Sequence, residues 1–425
     1  MTGSLFAVFF ILALINVPIA ISLMAATAVP LLAFTDLNII VVIQRYFYSL
    51  DSFPLMSIPF FILAGGFLSE GGVSRRLVNL ATAIVGGLPG GLAVVCFLAS
   101  AFFGAISGSA TATVAAIGAI MVPALLEAGY DMKFSLATIA SAGYLGIIIP
   151  PSIPMITFGL ATGASVSDLF MCGFIPGLIL TAFMSVYAVY YGKKHIPVTQ
   201  RFELKRFLTA FREALWALGM PVIILGGIYS GVFTPTESAA VACVYGIIVG
   251  MFVYRELNPR GLFEIFRKSM VSSSMVLFIV ASASAFGWLM TWANIPAQIA
   301  SFILAISPNS IVFLLLVNVL LLFVGIFMDT NAAILILAPI FLTVLRAYNV
   351  DILAFGIVMI VNLAIGLLTP PLGLNLYVAA GLKNVKPDVV INRHLFMYIL
   401  LSIMALLLFT YVPSVVTFLP RLIRG

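Results

Sequence analysis

The sequence predicts an all-α polytopic membrane protein made of two related halves, each holding a re-entrant helical hairpin and a broken helix. Three observations predict it. First, 63% of the 425 residues are hydrophobic and 8% charged, with a mean hydropathy of +1.24, whereas a soluble chain is about a quarter charged. Second, Gly146-Ile-Ile-Ile-Pro-Pro in the first half returns as Gly366-Leu-Leu-Thr-Pro-Pro in the second, 220 residues on. Adjacent prolines remove two backbone donors and clash with the preceding turn, so a helix cannot run through them. Third, both breaks lie deep in apolar sequence. There the freed carbonyls need protein or a bound species, and matched breaks in two halves mark sites of the secondary-transporter kind.

The elements follow in order. The start, Met1-Thr-Gly-Ser-Leu-Phe, has no basic region and no small-residue cleavage site beside its apolar run, which predicts a retained transmembrane helix. Residues 4–34 read as one span, ample for about 30 Å of hydrocarbon. Residues 37–51 mix apolar positions with Gln44, Arg45 and aromatic tips and are expected at the interface. A short span at 54–68 precedes an amphipathic segment at 73–88 with Arg75 and Arg76. Residues 90–126 are interrupted by Gly104-Ala-Ile-Ser-Gly-Ser-Ala-Thr-Ala-Thr. So many small and hydroxyl residues suit a hairpin whose tip is buried in protein. The first broken helix covers 134–163, and a further span covers 168–192.

Residues 193–213, with Lys193, Lys194, Arg201, Lys205, Arg206 and Arg212, form the strongly polar stretch. They read as a cytoplasmic linker between halves 1–192 and 214–425. The second half is expected to hold spans at 214–230 and 236–254, then a basic amphipathic segment at 255–270. A span at 272–291 and an amphipathic piece at 294–306 come next. A hairpin follows at 310–345, broken at Gly325-Ile-Phe-Met-Asp-Thr-Asn, then the second broken helix at 351–381 and a last helix at 394–418.

Offsets support the repeat. Asp131 and Asp351, Gly146 and Gly366, Pro150 and Pro370, and Pro151 and Pro371 are all 220 apart, while Gly104 and Gly325 are 221 apart. If the linker is cytoplasmic and the halves are inverted, all Lys and Arg except Arg45, Arg346, Arg421 and Arg424 face inward. That satisfies the positive-inside rule, with the N-terminus cytoplasmic and the C-terminus periplasmic. The net charge of +6 then needs no nucleic-acid partner. Cys96, Cys172 and Cys243 are isolated in apolar sequence and suggest neither disulfides nor a metal site.

Several stretches together carry a family resemblance. They are Ile58-Pro-Phe-Phe-Ile-Leu-Ala-Gly, Gly72-Val-Ser-Arg-Arg-Leu-Val, Gly146 through Pro151 with Ser152-Ile-Pro-Met, and Gly231-Val-Phe-Thr-Pro-Thr-Glu-Ser-Ala-Ala-Val. Phe286-Gly-Trp, Met328-Asp-Thr-Asn and Gly366 through Leu376 complete the set. In this order and spacing the chain resembles the large membrane subunit of tripartite ATP-independent periplasmic (TRAP) transporters over essentially its whole length. The resemblance implies a bacterial inner-membrane importer of organic acids, of the C4-dicarboxylate or sialic acid type, driven by Na+. It also implies a small four-helix membrane subunit, a soluble periplasmic substrate-binding protein, and an elevator motion of a transport domain against a scaffold.

Sodium prefers neutral oxygens, and helix breaks expose carbonyls. Candidate sodium ligands, mostly through backbone oxygens, are Gly104, Ser107, Gly146, Ile149 and Pro151 in the first half. In the second they are Gly325, Gly366, Thr369 and Leu372. The competing reading is that the glycines allow close helix packing. Candidate substrate-binding residues between the hairpin tips and breaks are Ser107, Ser109, Thr111, Ser152, Asp329, Asn331 and Asn375. Each hydroxyl could instead bond back to its own helix, and Asp329 could cap the second hairpin arm. No Lys or Arg lies in the tips, so an anion is expected to rely on helix N-termini, hydroxyls and sodium. Glu237 reads as a helix-start residue. The rival classes are a channel, a transporter working without a binding protein, and a membrane enzyme. A channel would need a continuous polar stripe. An enzyme would need convergent acid, base and nucleophile groups, and no such set is present in the sequence.

Overall fold

The structure, a computed structural model, describes residues 1–15, 17–196 and 203–424. Among these residues it is helical, with no strand, and nine helices are long and apolar enough to cross a membrane. The helices of the two halves correspond in order. Ala110–Glu127 and Thr330–Ala347 start and end 220 positions apart, and Met132 and Ile352 open the two broken helices at the same offset. Local chemistry repeats with them. Asp131 caps the first broken helix by accepting from the Lys133 and Phe134 amides at 3.1 and 3.4 Å. Asp351 caps the second from Leu353 and Ala354 at 2.8 and 3.0 Å. An N-cap carboxylate satisfies amides that the first helical turn leaves open, so the match reaches down to the hydrogen bond.

The first hairpin is a pair of packed helices, Gly91–Ser107 with Ala110–Glu127, whereas the arms of the second, Ser310–Phe327 and Thr330–Ala347, hardly touch and Ser310–Phe327 packs on Ile352–Gly366. The first broken helix runs Met132–Gly143, tightens over Tyr144–Ile147, and resumes at Ile153–Thr162 after Pro150 and Pro151. The second runs Ile352–Gly366 and resumes at Leu374–Gly381. These broken helices occupy the core. Tyr144 and Tyr398 are fully buried, and their hydroxyls find partners in Ser402 at 3.1 Å and Thr138 at 3.0 Å. A buried phenol usually pairs its hydroxyl, because an unpaired one is costly. Around the core, Ser57–Glu70 packs on Pro235–Ile248 and on Pro259–Trp292.

Four expectations change. Residues 4–34 are two helices, Thr2–Leu14 and Ile19–Phe34, packed against each other across a short connection that ends at Pro18. Pro18 cannot continue a helix from the preceding turn, and the second helix starts directly after it. The segments expected at 255–270 and 272–291 form one 34-residue helix, Pro259–Trp292, about 51 Å long. A change from polar to apolar surface alters what a helix faces without interrupting its backbone. The linker is shorter than its charge pattern implied. Lys193 and Lys194 end the helix Val166–His195, and Lys205, Arg206 and Arg212 belong to Leu204–Tyr229. Arg201 lies outside the described residues. The last long helix stops at Tyr411, two residues before Pro413, and is followed by Pro413–Val416 and Phe418–Arg424.

Candidate functional site

Each hairpin tip faces a helix break. In the first half the tip is Ser107-Gly108-Ser109. Gly108 takes a left-handed φ of 60°, and a Cβ there would stand 3.0 Å from the Pro151 carbonyl oxygen. Glycine is therefore required for both conformation and space. The Ser109 side chain accepts from the Ala112 amide at 3.4 Å, and Thr113 Oγ1 donates to the Ser109 carbonyl at 2.7 Å. Ser107 and Thr113 share a hydroxyl contact at 3.3 Å.

In the second half the tip is Met328-Asp329. Asp329 Oδ1 accepts from the Asn331 and Ala332 amides at 2.9 and 3.3 Å, which makes it the cap of Thr330–Ala347. Thr157 Oγ1, beyond the first break, donates to Asn331 Oδ1 at 3.1 Å. That bond joins the second hairpin to the first broken helix.

The glycines expected at the breaks do meet. A Cβ on Gly104 would fall 2.9 Å from Gly146 Cα. A Cβ on Gly146 would fall 2.3 Å from Thr113 Oγ1 and 2.7 Å from the Ser109 oxygen. On Gly366 it would meet the Gly325 carbonyl carbon and oxygen at 2.3 and 2.4 Å. Close packing of bare backbone is therefore present at both sites.

The remaining ion candidates divide. Ile149 and Pro151 are buried, and Ser107 joins Gly104 and Gly146 near the first tip. Thr369 Oγ1 bonds back to the Ile365 carbonyl at 2.9 Å, and the Leu372 side chain is half exposed. Among the described residues no group of three His, Cys, Asp or Glu side chains comes together.

Between the tips, the breaks and the helices Ser57–Glu70 and Pro259–Trp292 lies a cavity of 740 Å³. Ser107, Ser109, Thr111, Asp329 and Asn331 line it. Ser152 and Asn375 do not. Ser152 is fully buried and donates to the Ile147 carbonyl at 2.6 Å, closing the first break. Asn375 is fully buried and donates to the Ala140 carbonyl at 3.2 Å. Glu237 is exposed and completes a capping box with Thr234.

The cavity also has residues that sequence reasoning missed. Lys268 lines it and is paired with Glu70, also on its wall, at 3.1 Å. Ser269 and Ser272 stand beside Lys268 on the same helix. The statement that no cation lies in the tips is correct, but the opposite wall supplies one. The available signal was helical spacing: residues 265, 268, 269, 272 and 276 form one stripe, and all five face the cavity.

Helices of both halves around a cavity that both hairpin tips reach, with nine helices among the described residues fit to span a bilayer, define a multi-pass membrane transport protein. Residues 6–415 match the family described as "Tripartite ATP-independent periplasmic transporter, DctM component", and the chain belongs to that family. It is 45% identical over 417 residues to the isethionate TRAP transporter permease protein DctMQ of Oleidesulfovibrio alaskensis, covering 97% of this chain and 65% of that one. It is 38% identical over 434 residues to the C4-dicarboxylate TRAP transporter large permease protein DctM of Rhodobacter capsulatus, covering 99% and 98%. In fold it is similar to the Alcanivorax borkumensis YdaH transporter, with a TM-score of 0.65 at 16% identity over 96% of this chain and 97% of that one.

Proposed function

We propose that this chain is the large membrane subunit of a sodium-coupled importer that takes a small organic anion from a periplasmic binding protein. The observation that carries the reading is the single cavity reached by both hairpin tips. Ser109 and Thr111 stand at one N-terminal turn, and Asp329 and Asn331 at the other. Helix N-termini and hydroxyls favour carboxylate or sulfonate oxygens. Sodium bound at the glycine contacts would supply positive charge beside them. A small four-helix membrane subunit completes the assembly in this reading, and the bacterial inner membrane is its location. The isethionate and C4-dicarboxylate relatives place sulfonates and dicarboxylates beside sialic acid among the acids to test.

In this reading the two hairpins and two broken helices form the moving block and carry the site past Ser57–Glu70 and Pro259–Trp292. Gly65 on the first of these helices faces that block, because a Cβ there would lie 3.2 Å from Ser107 Cα. In proteoliposomes holding the whole complex, uptake of succinate, isethionate or sialic acid should need both a sodium gradient and the cognate binding protein. A reversible cross-link from position 65 to the first tip should stop it, measured against single-cysteine baselines. Uptake that needs neither sodium nor binding protein would overturn the reading, and transport through the locked cross-link would remove the elevator.

Charge sets the orientation in this reading. With basic segments inside, Met1 is cytoplasmic and the C-terminus periplasmic. A Gly3→Cys variant, at a position with open space around its Cβ, should react with a membrane-impermeant maleimide only after permeabilisation. Labelling of intact cells from the periplasmic side would place the N-terminus outside.

A further inference from the structure

We propose that Lys268 is an anion-recognising residue of the cavity, held ready by a weak pairing with Glu70 and released to a carboxylate or sulfonate that enters. The inference rests on the organic-anion reading above and adds a residue from the wall opposite the hairpin tips.

Several features of the pair point this way. Among the described residues lining the cavity, Lys268 carries the single positive charge, against Glu70 and Asp329. An anion entering past two carboxylates needs a cation to offset them. Lys268 Nζ donates to Glu70 Oε1 at 3.1 Å, and an ammonium has three donors. The side chains of Lys268 and Glu70 are 57% and 45% exposed, so the pair is solvated and contributes little net stability. Exchanging the glutamate for an incoming anion therefore costs little. The neighbouring charge does not compete: Arg267 is held by both oxygens of Glu264, at 3.1 and 2.6 Å.

The surroundings complete a recognition surface. Ser272 lies one turn beyond Lys268, and Ser269 stands next to it on the cavity stripe. They add neutral hydroxyl donors beside the ammonium. The opposite wall carries Ser109 and Thr111 at the start of an 18-residue helix. An elongated anion with a charged group at one end and polar groups at the other could bridge the two walls. The repeat does not duplicate the pair. Counted back by 220, Lys268 falls on Tyr48, and Glu70 counted forward by 221 falls on Thr291. The cation thus stands at one mouth of the pathway, among the basic residues that orient the protein.

The competing role is a brace between Ser57–Glu70 and Pro259–Trp292. The two roles separate in the KM for succinate and isethionate uptake by the complete complex. Lys268→Met should raise KM about tenfold, the loss of one charged hydrogen bond, whereas Glu70→Gln, which frees the lysine, should lower it. The exchanged pair Glu70→Lys with Lys268→Glu should not recover wild-type KM. A brace predicts parallel defects in both single variants and recovery in the exchange, and that pattern would overturn the proposal.

If Lys268→Met fails to reach the membrane, Lys268→Cys provides the same test after insertion. Modification with an aminoethyl thiosulfonate should restore uptake, and the sulfonatoethyl reagent should not. Equal effects of the two reagents would also overturn it. A wild-type complex that takes up none of succinate, isethionate and sialic acid sinks the anion reading itself, and this inference with it.

Discussion

Asp329→Ala should abolish sodium-driven uptake while the protein still inserts at wild-type level. The carboxylate lines the cavity and caps Thr330–Ala347, so alanine removes both functions. Losing a charged contact costs about 1.5–3 kcal/mol, or ten- to a hundredfold in rate, and losing a cap adds about 1 kcal/mol of local stability. Asp329→Asn separates the two. Asparagine caps about as well as aspartate and lacks the charge. If the charge works on an ion or substrate, Asn should be nearly as inactive as Ala, with thermal stability in detergent preserved. Wild-type uptake by the Asn variant would reduce Asp329 to a cap.

The second large effect is expected at Gly366. Its missing Cβ would sit 2.3 Å from the Gly325 carbonyl carbon, and backbone cannot turn aside as a long side chain can. Gly366→Ala must therefore push the second hairpin off the second broken helix. Overpacking of this kind costs about 1–3 kcal/mol, enough to lower the melting temperature in detergent by several degrees. It should also displace whatever the tip and break bind together. Gly381→Ala is the matched control, because nothing lies within 4 Å of its added methyl. Equal melting curves for the two variants would show that the glycine contact is not tight.

The parts of the fold legible in sequence were those governed by local chemistry. Proline pairs announced the helix breaks, and runs of glycine and hydroxyl residues the hairpin tips. Each acts within a few residues of itself, so order along the chain is enough to read it. The misread parts depended on packing. Thr2–Leu14 and Ile19–Phe34 look like one span because both are apolar and only the short stretch 15–18 separates them. Pro259–Trp292 looks like two elements because its surface changes character halfway, although its backbone does not.

The same division holds at the cavity. Ser109, Thr111, Asp329 and Asn331 were found from the tips themselves. Lys268 and Glu70 are 198 residues apart and meet only because their helices cross. At a helix end, charges of this kind read as ordinary interfacial residues. Ser152 and Asn375 stand apart from the cavity: Ser152 donates to the Ile147 carbonyl inside the first break, and Asn375 donates to the Ala140 carbonyl of the helix before it.

The bond from Thr157 to Asn331 has a consequence for biosynthesis. The first broken helix leaves the ribosome long before the hairpin that contacts it, since 174 residues separate the two partners. Its other polar partners come later still, because Thr138 and Tyr144 pair with Tyr398 and Ser402, 260 and 258 residues downstream. Until Arg393–Tyr411 enters the bilayer, those buried hydroxyls have no native mate, and an unmatched polar group in hydrocarbon is costly. The N-terminal half must therefore wait in the membrane in a provisional packing. Its interior is finished only once Arg393–Tyr411 has been made.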